Sequence, residues 1–214
     1  MVRCRSRRLA LFCVLAAVGC GDPSAAPVPR EGGTVVVAGS HDLRALSGPL
    51  ADEQDAGEVL KFVLSTTLVR LNADLTYAPY AATSWELEGD TAILFRLRPD
   101  LPWHDGRPFR ARDVLFTFER VKDPETGSPV QYLFDGWQSG MELDSLTVRF
   151  RVTPQADPLY SWTELPLIPA HLLDTVPAAS MRESRYLAEP VGNGPFRFVS
   201  HVENDRWVFE ANPD

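Results

Sequence analysis

Beyond position 20 the sequence has no cysteine. Its three cysteines stand at 4, 13 and 20, so the body of the chain can form neither a disulfide nor a thiolate metal site. No apolar run approaches the ~20 residues that a membrane-spanning helix needs. Histidine is scarce: there are four, and no two are four residues apart, so the paired helical ligands of a metal-dependent phosphohydrolase are missing. Gly-x-Ser-x-Gly does not occur, which removes the nucleophile elbow of a serine hydrolase. The stretch "GNGP" at 192–195 lacks the third glycine and the strand-then-helix setting of a dinucleotide loop. Positive charge is also short. Taking the four N-terminal arginines (3, 5, 7, 8) from the 21 basic residues leaves 17 against 29 acidic ones, and so acidic a body is unsuited to nucleic acid or to an anionic lipid surface. No repeat at a fixed period appears.

What is present begins with a leader. Arg3, Arg5, Arg7 and Arg8 precede an apolar stretch of about ten residues, Leu9–Val18, the length of a signal-peptide core. Small residues, Ala16-Ala17-Val18-Gly19, then meet Cys20. A lipoprotein signal peptidase accepts such residues before a cysteine, so residues 1–19 are expected to be removed and Cys20 to carry the lipid, whose two acyl chains give stable anchoring. Ala17 stands where leucine is usual. Ser6-Arg7-Arg8 has part of a twin-arginine pattern, but Ala10 sits where that pattern prefers a bulky apolar residue. Residues 20–32, "CGDPSAAPVPREG", are rich in Pro, Ala and Gly and read as a flexible tether.

The rest is globular, at 44% hydrophobic residues over the chain. "GGTVVVAGS" (32–40) is a β-branched run bounded by glycine and predicts a buried central strand. Val59, Leu60, Val63 and Leu64 predict an amphipathic helix within 53–68. In "TAILFRLRPD", Ile93, Phe95 and Leu97 alternate with Arg96 and Arg98, as in a half-buried strand. Val114, Leu115, Phe118 and Val121 form one helical stripe in 111–122, which Asp123-Pro124 ends. "DSLTVRFRV" alternates again, and "GPFRFVS" with "DRWVFEA" predicts a strand pair turning near 203–205. The mixture, without a regular βαβ rhythm, implies an α/β scaffold carrying an inserted α+β portion. The final "ANPD" brings neither cap nor strand partner, and the expectation is a chain that stops in mid-architecture.

Two His-Asp pairs invite a chemical reading. In "LPWHDGRPFRARDV" (101–114), Asp105-Gly106 is a favoured turn pair because glycine tolerates positive φ. Trp103 and Phe109 would pin that loop, and His104 would hydrogen-bond locally. The rival is an enzyme built around His104. His41-Asp42 could suit a metal chelate, but a solvated loop pair is the simpler reading, and the two Asp-Pro steps, 123–124 and 157–158, mark loop starts. Open α/β sheets bind ligands beyond the carboxyl ends of their strands. After the predicted strand come Gly39, Ser40 and His41, with backbone amides and a small hydroxyl, as candidate ligand-binding residues. Trp137 in "LFDGWQSG" is a fourth candidate, either stacking on a ligand or buried in the core.

Seven blocks in order carry a resemblance: "GGTVVVA" (32–38), "LVRLNADLTYAPYAATSWEL" (68–87), "FRLRPDLPWHDGRPFRARDVLFTFERVKDPETGSP" (95–129), "LTVRFRV" (146–152), "LPLIPAHLL" (165–173), "VGNGPFRF" (191–198) and "ANPD" (211–214). The chain resembles the N-terminal part of the family 5 extracellular solute-binding proteins, the dipeptide, oligopeptide and nickel receptors of ABC importers. The resemblance implies an α/β fold of the class II periplasmic binding protein type. Lobe I would begin at 33–40, carry an inserted α+β subdomain over 41–189 (approximate bounds), and resume at 190–214, with the second lobe absent. It also implies a monomeric, non-enzymatic, lipid-anchored receptor on the periplasmic side of the cell envelope, which closes its lobes on a solute and passes it to ABC permease subunits. Peptide leads as solute, ahead of nickel or haem chelates and oligosaccharides; no cofactor, resident metal or nucleic acid is implied. A structural or interaction lipoprotein without a transport role is the alternative. Two departures stand out. Arg110 occupies the place of the family's helix-capping threonine, so the helix is expected to start as late as Asp113. The segment "TPQADPLYSW" is also short.

Overall fold

The structure is a computed structural model that describes residues 32–39, 42–43, 46–155 and 157–213. The chain divides into two units, Met1–Ala38 and Gly39–Asp214. In the first, residues 32–38 form neither strand nor helix, and Val35, Val36 and Val37 are 88%, 89% and 86% exposed. The buried strand predicted at 32–40 is therefore not formed among the described residues. A β-branched run becomes a strand only where a neighbour completes its ladder, and none of the sheets includes it.

In the second unit a 3-10 turn at Gly48–Leu50 precedes α1 (Gln54–Val59), which continues into a wider turn over Leu60–Leu64 that Ser65 N–H closes on the Leu60 carbonyl at 2.8 Å. The helix expected over 53–68 stops there. Ser65 turns extended, and the next amide, Thr66 N–H, is drawn to the Asn193 side chain at 2.9 Å. A small hairpin follows, β1 (Val69–Leu71) with β2 (Tyr77–Pro79).

The main sheet is built from β3 (Ala82–Glu88), β4 (Ala92–Leu97), β5 (Trp137–Asp144) and β6 (Thr147–Val152), all antiparallel in the order β3-β4-β6-β5. In β4, Ile93, Phe95 and Leu97 are at most 3% exposed and Arg96 faces solvent, but Ala92 and Leu94 are buried too, so the strand is covered on both faces where a half-buried one was expected. Register sets Trp85 against Phe95 and Phe95 against Val148, so one face becomes continuous apolar surface. Between β4 and β5 runs α2 (Ala111–Lys122), whose stripe of Val114, Leu115, Phe118 and Val121 is buried. Phe150 on β6 lies 5.1 Å from Phe118, 5.4 Å from Trp137 and 5.2 Å from Trp162 between ring centres. Emptying such a site, as in Phe150→Ala, costs about 3–5 kcal/mol.

Helix α2 starts at Ala111, two residues earlier than Arg110 led us to expect. The Asp113 carboxylate accepts the Arg110 N–H at 2.9 Å, so the acid three residues on satisfies the N-cap amide even though the cap cannot reciprocate. At the other end Asp123 accepts Glu125 N–H at 2.9 Å. Two short helices follow, α3 (Ser161–Glu164) and α4 (Ala170–Leu173), and then the hairpin β7 (Phe196–Val202) with β8 (Arg206–Ala211). Its turn places Asn204 at φ 57°, where asparagine is tolerated.

Candidate functional site

The turn at 103–107 is built as its composition requires. Gly106 N–H reaches the Trp103 carbonyl at 2.8 Å and Trp103 N–H the Arg107 carbonyl at 2.7 Å. Gly106 has φ 82°, which a residue with a side chain rarely adopts. Trp103 and Phe109 pack edge to face at 6.0 Å, both 1% exposed.

His104 does not bond locally. Its ring reaches the GNG loop some ninety residues away, where Nδ1 accepts Gly192 N–H at 3.2 Å and Nε2 donates to the Gly194 carbonyl at 3.0 Å. The backbone adds His104 N–H to the Gly192 carbonyl at 2.8 Å. One ring nitrogen must accept and the other must donate, so the imidazole is the Nε2–H tautomer. Both nitrogens of the neutral ring are engaged by backbone groups, so it holds the loop in place. The histidine is scaffold.

On the other side the GNG loop lies against 64–66. Gly194 N–H donates to the Leu64 carbonyl at 2.9 Å, and a Cβ on Gly192 would stand 1.8 Å from that same oxygen. The Asn193 side-chain oxygen accepts both Thr66 N–H at 2.9 Å and Thr66 Oγ1–H at 3.0 Å.

Two carboxylates hold the surroundings. The Asp113 side chain, 5% exposed as a residue, accepts Ala170 N–H at 2.9 Å, Trp103 Nε1–H at 3.2 Å and Arg110 N–H. It thereby ties the turn to the N-termini of α2 and α4. Burial pushes its carboxyl up from the ordinary value, against the pull of these donors. Asp105 meets His171 of α4 at 2.6 Å. Burial alone would raise Asp105, but the His171 hydrogen bond and the Arg107 amide hold it below the usual carboxylate value.

Asp42 is the third carboxylate, and it is not a solvated loop residue. Its side chain is 13% exposed. It accepts Trp207 Nε1–H at 2.7 Å and Asn204 N–H at 2.9 Å, and meets His201 Nε2 at 3.0 Å. His201 stacks on Trp207 with ring centres 3.8 Å apart. Asp42 thus clamps the turn end of the β7–β8 hairpin. Burial opposes its ionisation, yet the Asn204, Trp207 and His201 bonds outweigh that and lower it to about 2.

Between the His104 turn, residues 188–191 and β7 lies a groove of about 850 Å³. Its charged groups are already engaged: Arg197 with Glu210 at 2.6 Å, Glu189 with Arg185 at 2.8 Å and Asp105 with His171. Pro190, Val191, Phe198 and Val199 supply its apolar lining. Such a surface offers shape and hydrogen bonding.

Of the four candidate ligand residues, Gly39 and Trp137 lie among the described ones. Gly39 is exposed and outside any strand, while Ser40, His41 and the lipid-attachment residue Cys20 lie outside the described residues. Trp137 is core, at 1% exposure. Its ring is hemmed in by Phe134 at 5.8 Å, Trp162 at 5.6 Å and Phe150, and its Nε1–H points to Ser161 Oγ at 3.3 Å. A solute could stack on it only by displacing those rings. Sequence reasoning also missed Asp157, which is more than a loop start because it accepts the Tyr77 hydroxyl. It missed the Asp42–His201–Trp207 clamp as well; partners some 160 residues apart leave no local pattern.

Comparison with known proteins adds a family. Residues 76–214 match the family model described as bacterial extracellular solute-binding proteins, family 5 Middle. The oligopeptide-binding protein AppA of Bacillus subtilis is 28% identical over 194 residues, 87% of this chain and 35% of AppA. Its structure with a nonapeptide superposes with a TM-score of 0.74 at 23% identity, over 81% of this chain and 35% of that one. The peptidoglycan-binding protein YepA of Agrobacterium fabrum is 28% identical over 71% of this chain and 25% of its own. The structure of NikZ from Campylobacter jejuni in complex with Ni(L-His) has a TM-score of 0.70 at 28% identity, covering 79% of this chain and 33% of that one. The chain therefore spans about a quarter to a third of the curated relatives it matches.

Proposed function

The chain belongs to the bacterial extracellular solute-binding proteins of family 5, and we propose that it supplies one wall of the substrate-binding component of an ABC importer. The match of 87% of the chain to an oligopeptide-binding protein carries this reading. It also makes peptide the first-choice solute, ahead of chelates of the kind bound by NikZ. In this reading residues 33–40 and 190–214 belong to lobe I and 41–189 are its inserted subdomain. Capture is by hinge closure against a second lobe, because a single wall cannot bury a ligand. Gly39, Ser40 and His41 lie at the cleft, Cys20 carries the membrane anchor, and the monomeric receptor delivers solute to the permease on the periplasmic side. The family, one of solute-binding proteins, supports a binder over an enzyme.

The decisive experiment is small-angle scattering of the full-length receptor with and without a mixed peptide pool, paired with calorimetry against peptides and against nickel–histidine. The radius of gyration should fall with peptide. Tight peptide binding without compaction would refute lobe closure, and tight binding of nickel–histidine alone would refute peptide as the solute.

A further inference from the structure

We propose that His104 is a proton-operated latch on the GNG loop: neutral, it holds the loop that leads into the groove, and protonated, it lets the loop go. The inference rests on which atoms donate. Nδ1 is an acceptor because Gly192 N–H points at it from 3.2 Å, and Nε2 is a donor because its partner is the Gly194 carbonyl, 3.0 Å away. A proton added to the ring can go only to Nδ1. That places one N–H against another, removes the Gly192 bond and leaves a buried amide without its acceptor. Nothing on the ring can compensate, since Nε2–H already donates.

The loop is held from both sides. Opposite the imidazole, Gly194 N–H is bonded to the Leu64 carbonyl and the Asn193 side chain to Thr66, so Gly192–Gly194 is a single layer between His104 and residues 64–66. Pro195 follows it, and then β7, whose Phe198 and Val199 line the groove together with His104 itself. Loosening the loop therefore frees one wall of the groove. Among the described residues, the charged groups that line the groove with the ring, or pair with one that does, are Asp105 next in the chain with its partner His171, Glu189 from the preceding segment, Arg197 and His201 from β7, and Glu210 from β8. The carboxylates favour a proton on the ring and Arg197 opposes it. The sign of the effect is set by the Gly192 contact, which only the neutral ring can make. The latch is thus complete while the ring is neutral and is lost once falling pH places a proton on Nδ1.

The test uses the full chain in two measurements. Nitrogen-15 spectra of the imidazole at pH 8 should show a protonated Nε2 and a bare Nδ1; a protonated Nδ1 would overturn the proposal by itself. Hydrogen exchange at the Gly192 and Gly194 amides, corrected for intrinsic rate, should lose at least tenfold protection between pH 7.5 and pH 5 while the α2 amides keep theirs. In His104→Asn, whose side-chain oxygen can accept Gly192 N–H without titrating, the loss should be absent. Flat protection in the native chain, or the same pH profile in H104N, refutes the latch. Should H104N not fold, the two native-chain measurements decide.

Discussion

Replacing Asp42 with asparagine should cost stability at neutral pH and cost little at pH 2, and the two halves of that statement test the clamp separately. The carboxylate collects Trp207 Nε1–H, Asn204 N–H and His201 Nε2 within 3.1 Å, which lowers it from 3.8 to about 2 against the opposing effect of burial. A folded value below the unfolded one means that the ionised form stabilises the fold. The contribution is complete above about pH 4 and disappears as pH falls through the folded value. The interval corresponds to about 2.5 kcal/mol at about 1.4 kcal/mol per tenfold change in acidity, which solvent screening reduces to roughly 2 kcal/mol. Urea denaturation followed by tryptophan fluorescence, run from pH 7 to pH 2 on both proteins, reads this as a difference. Other lowered carboxylates, Asp105 among them, then cancel. Asp42→Asn should be less stable by about 2 kcal/mol from pH 7 to pH 4, and the gap should close between pH 4 and pH 2 at unchanged denaturant slope. A gap under about 0.5 kcal/mol at pH 7, or one that persists undiminished at pH 2, refutes the reasoning.

Two further substitutions probe backbone geometry. Gly192→Ala drives a methyl to 1.8 Å from the Leu64 carbonyl oxygen, so the melting temperature should fall by about 6–12 °C, equivalent to roughly 3 kcal/mol; a fall under about 2 °C would show that the loop yields freely. Leu75 sits at φ 65° and 75% exposed at the tip of the β1–β2 hairpin. Leu75→Asn should raise the melting temperature by about 2–4 °C by relieving ~1 kcal/mol of left-handed strain, and a decrease would contradict this.

The elements read correctly from the sequence are those whose pattern is self-contained. The stripe of α2 and the alternation of β6 carry their period within a dozen residues, and burial follows it; β4 and the β7–β8 pair form where their patterns place them, although β4 is buried on both faces and neither strand of the pair has a buried residue. Where an element needs a distant partner, the pattern misleads. Val35–Val37 has the composition of a buried strand but no ladder among the described residues. The helix expected to reach 68 ends at 64 because Asn193, far along the chain, takes the Thr66 amide. Trp137 had two readings from its neighbours in sequence, and only its neighbours in space, Phe134, Phe150 and Trp162, decide for core.

Polar contacts are the least legible class, since a hydrogen bond between residues 42 and 207 or 104 and 192 imposes no period on either segment. The GNG loop shows what the sequence does hold. Its glycines suggest a turn, for which the physical mark is positive φ, as Gly106 has. Neither Gly192 nor Gly194 has positive φ. Their missing side chains serve proximity instead: Gly192 and Gly194 both sit where a Cβ would collide with the Leu64 backbone. A pair of glycines around a buried asparagine is therefore evidence of two chain segments pressed together, and the polar side chain between them, Asn193, marks the partner through the backbone amide it takes. With His104 closing the opposite face, that geometry makes the loop a joint between residues 64–66 and the groove, so what reaches His104 is transmitted to β7.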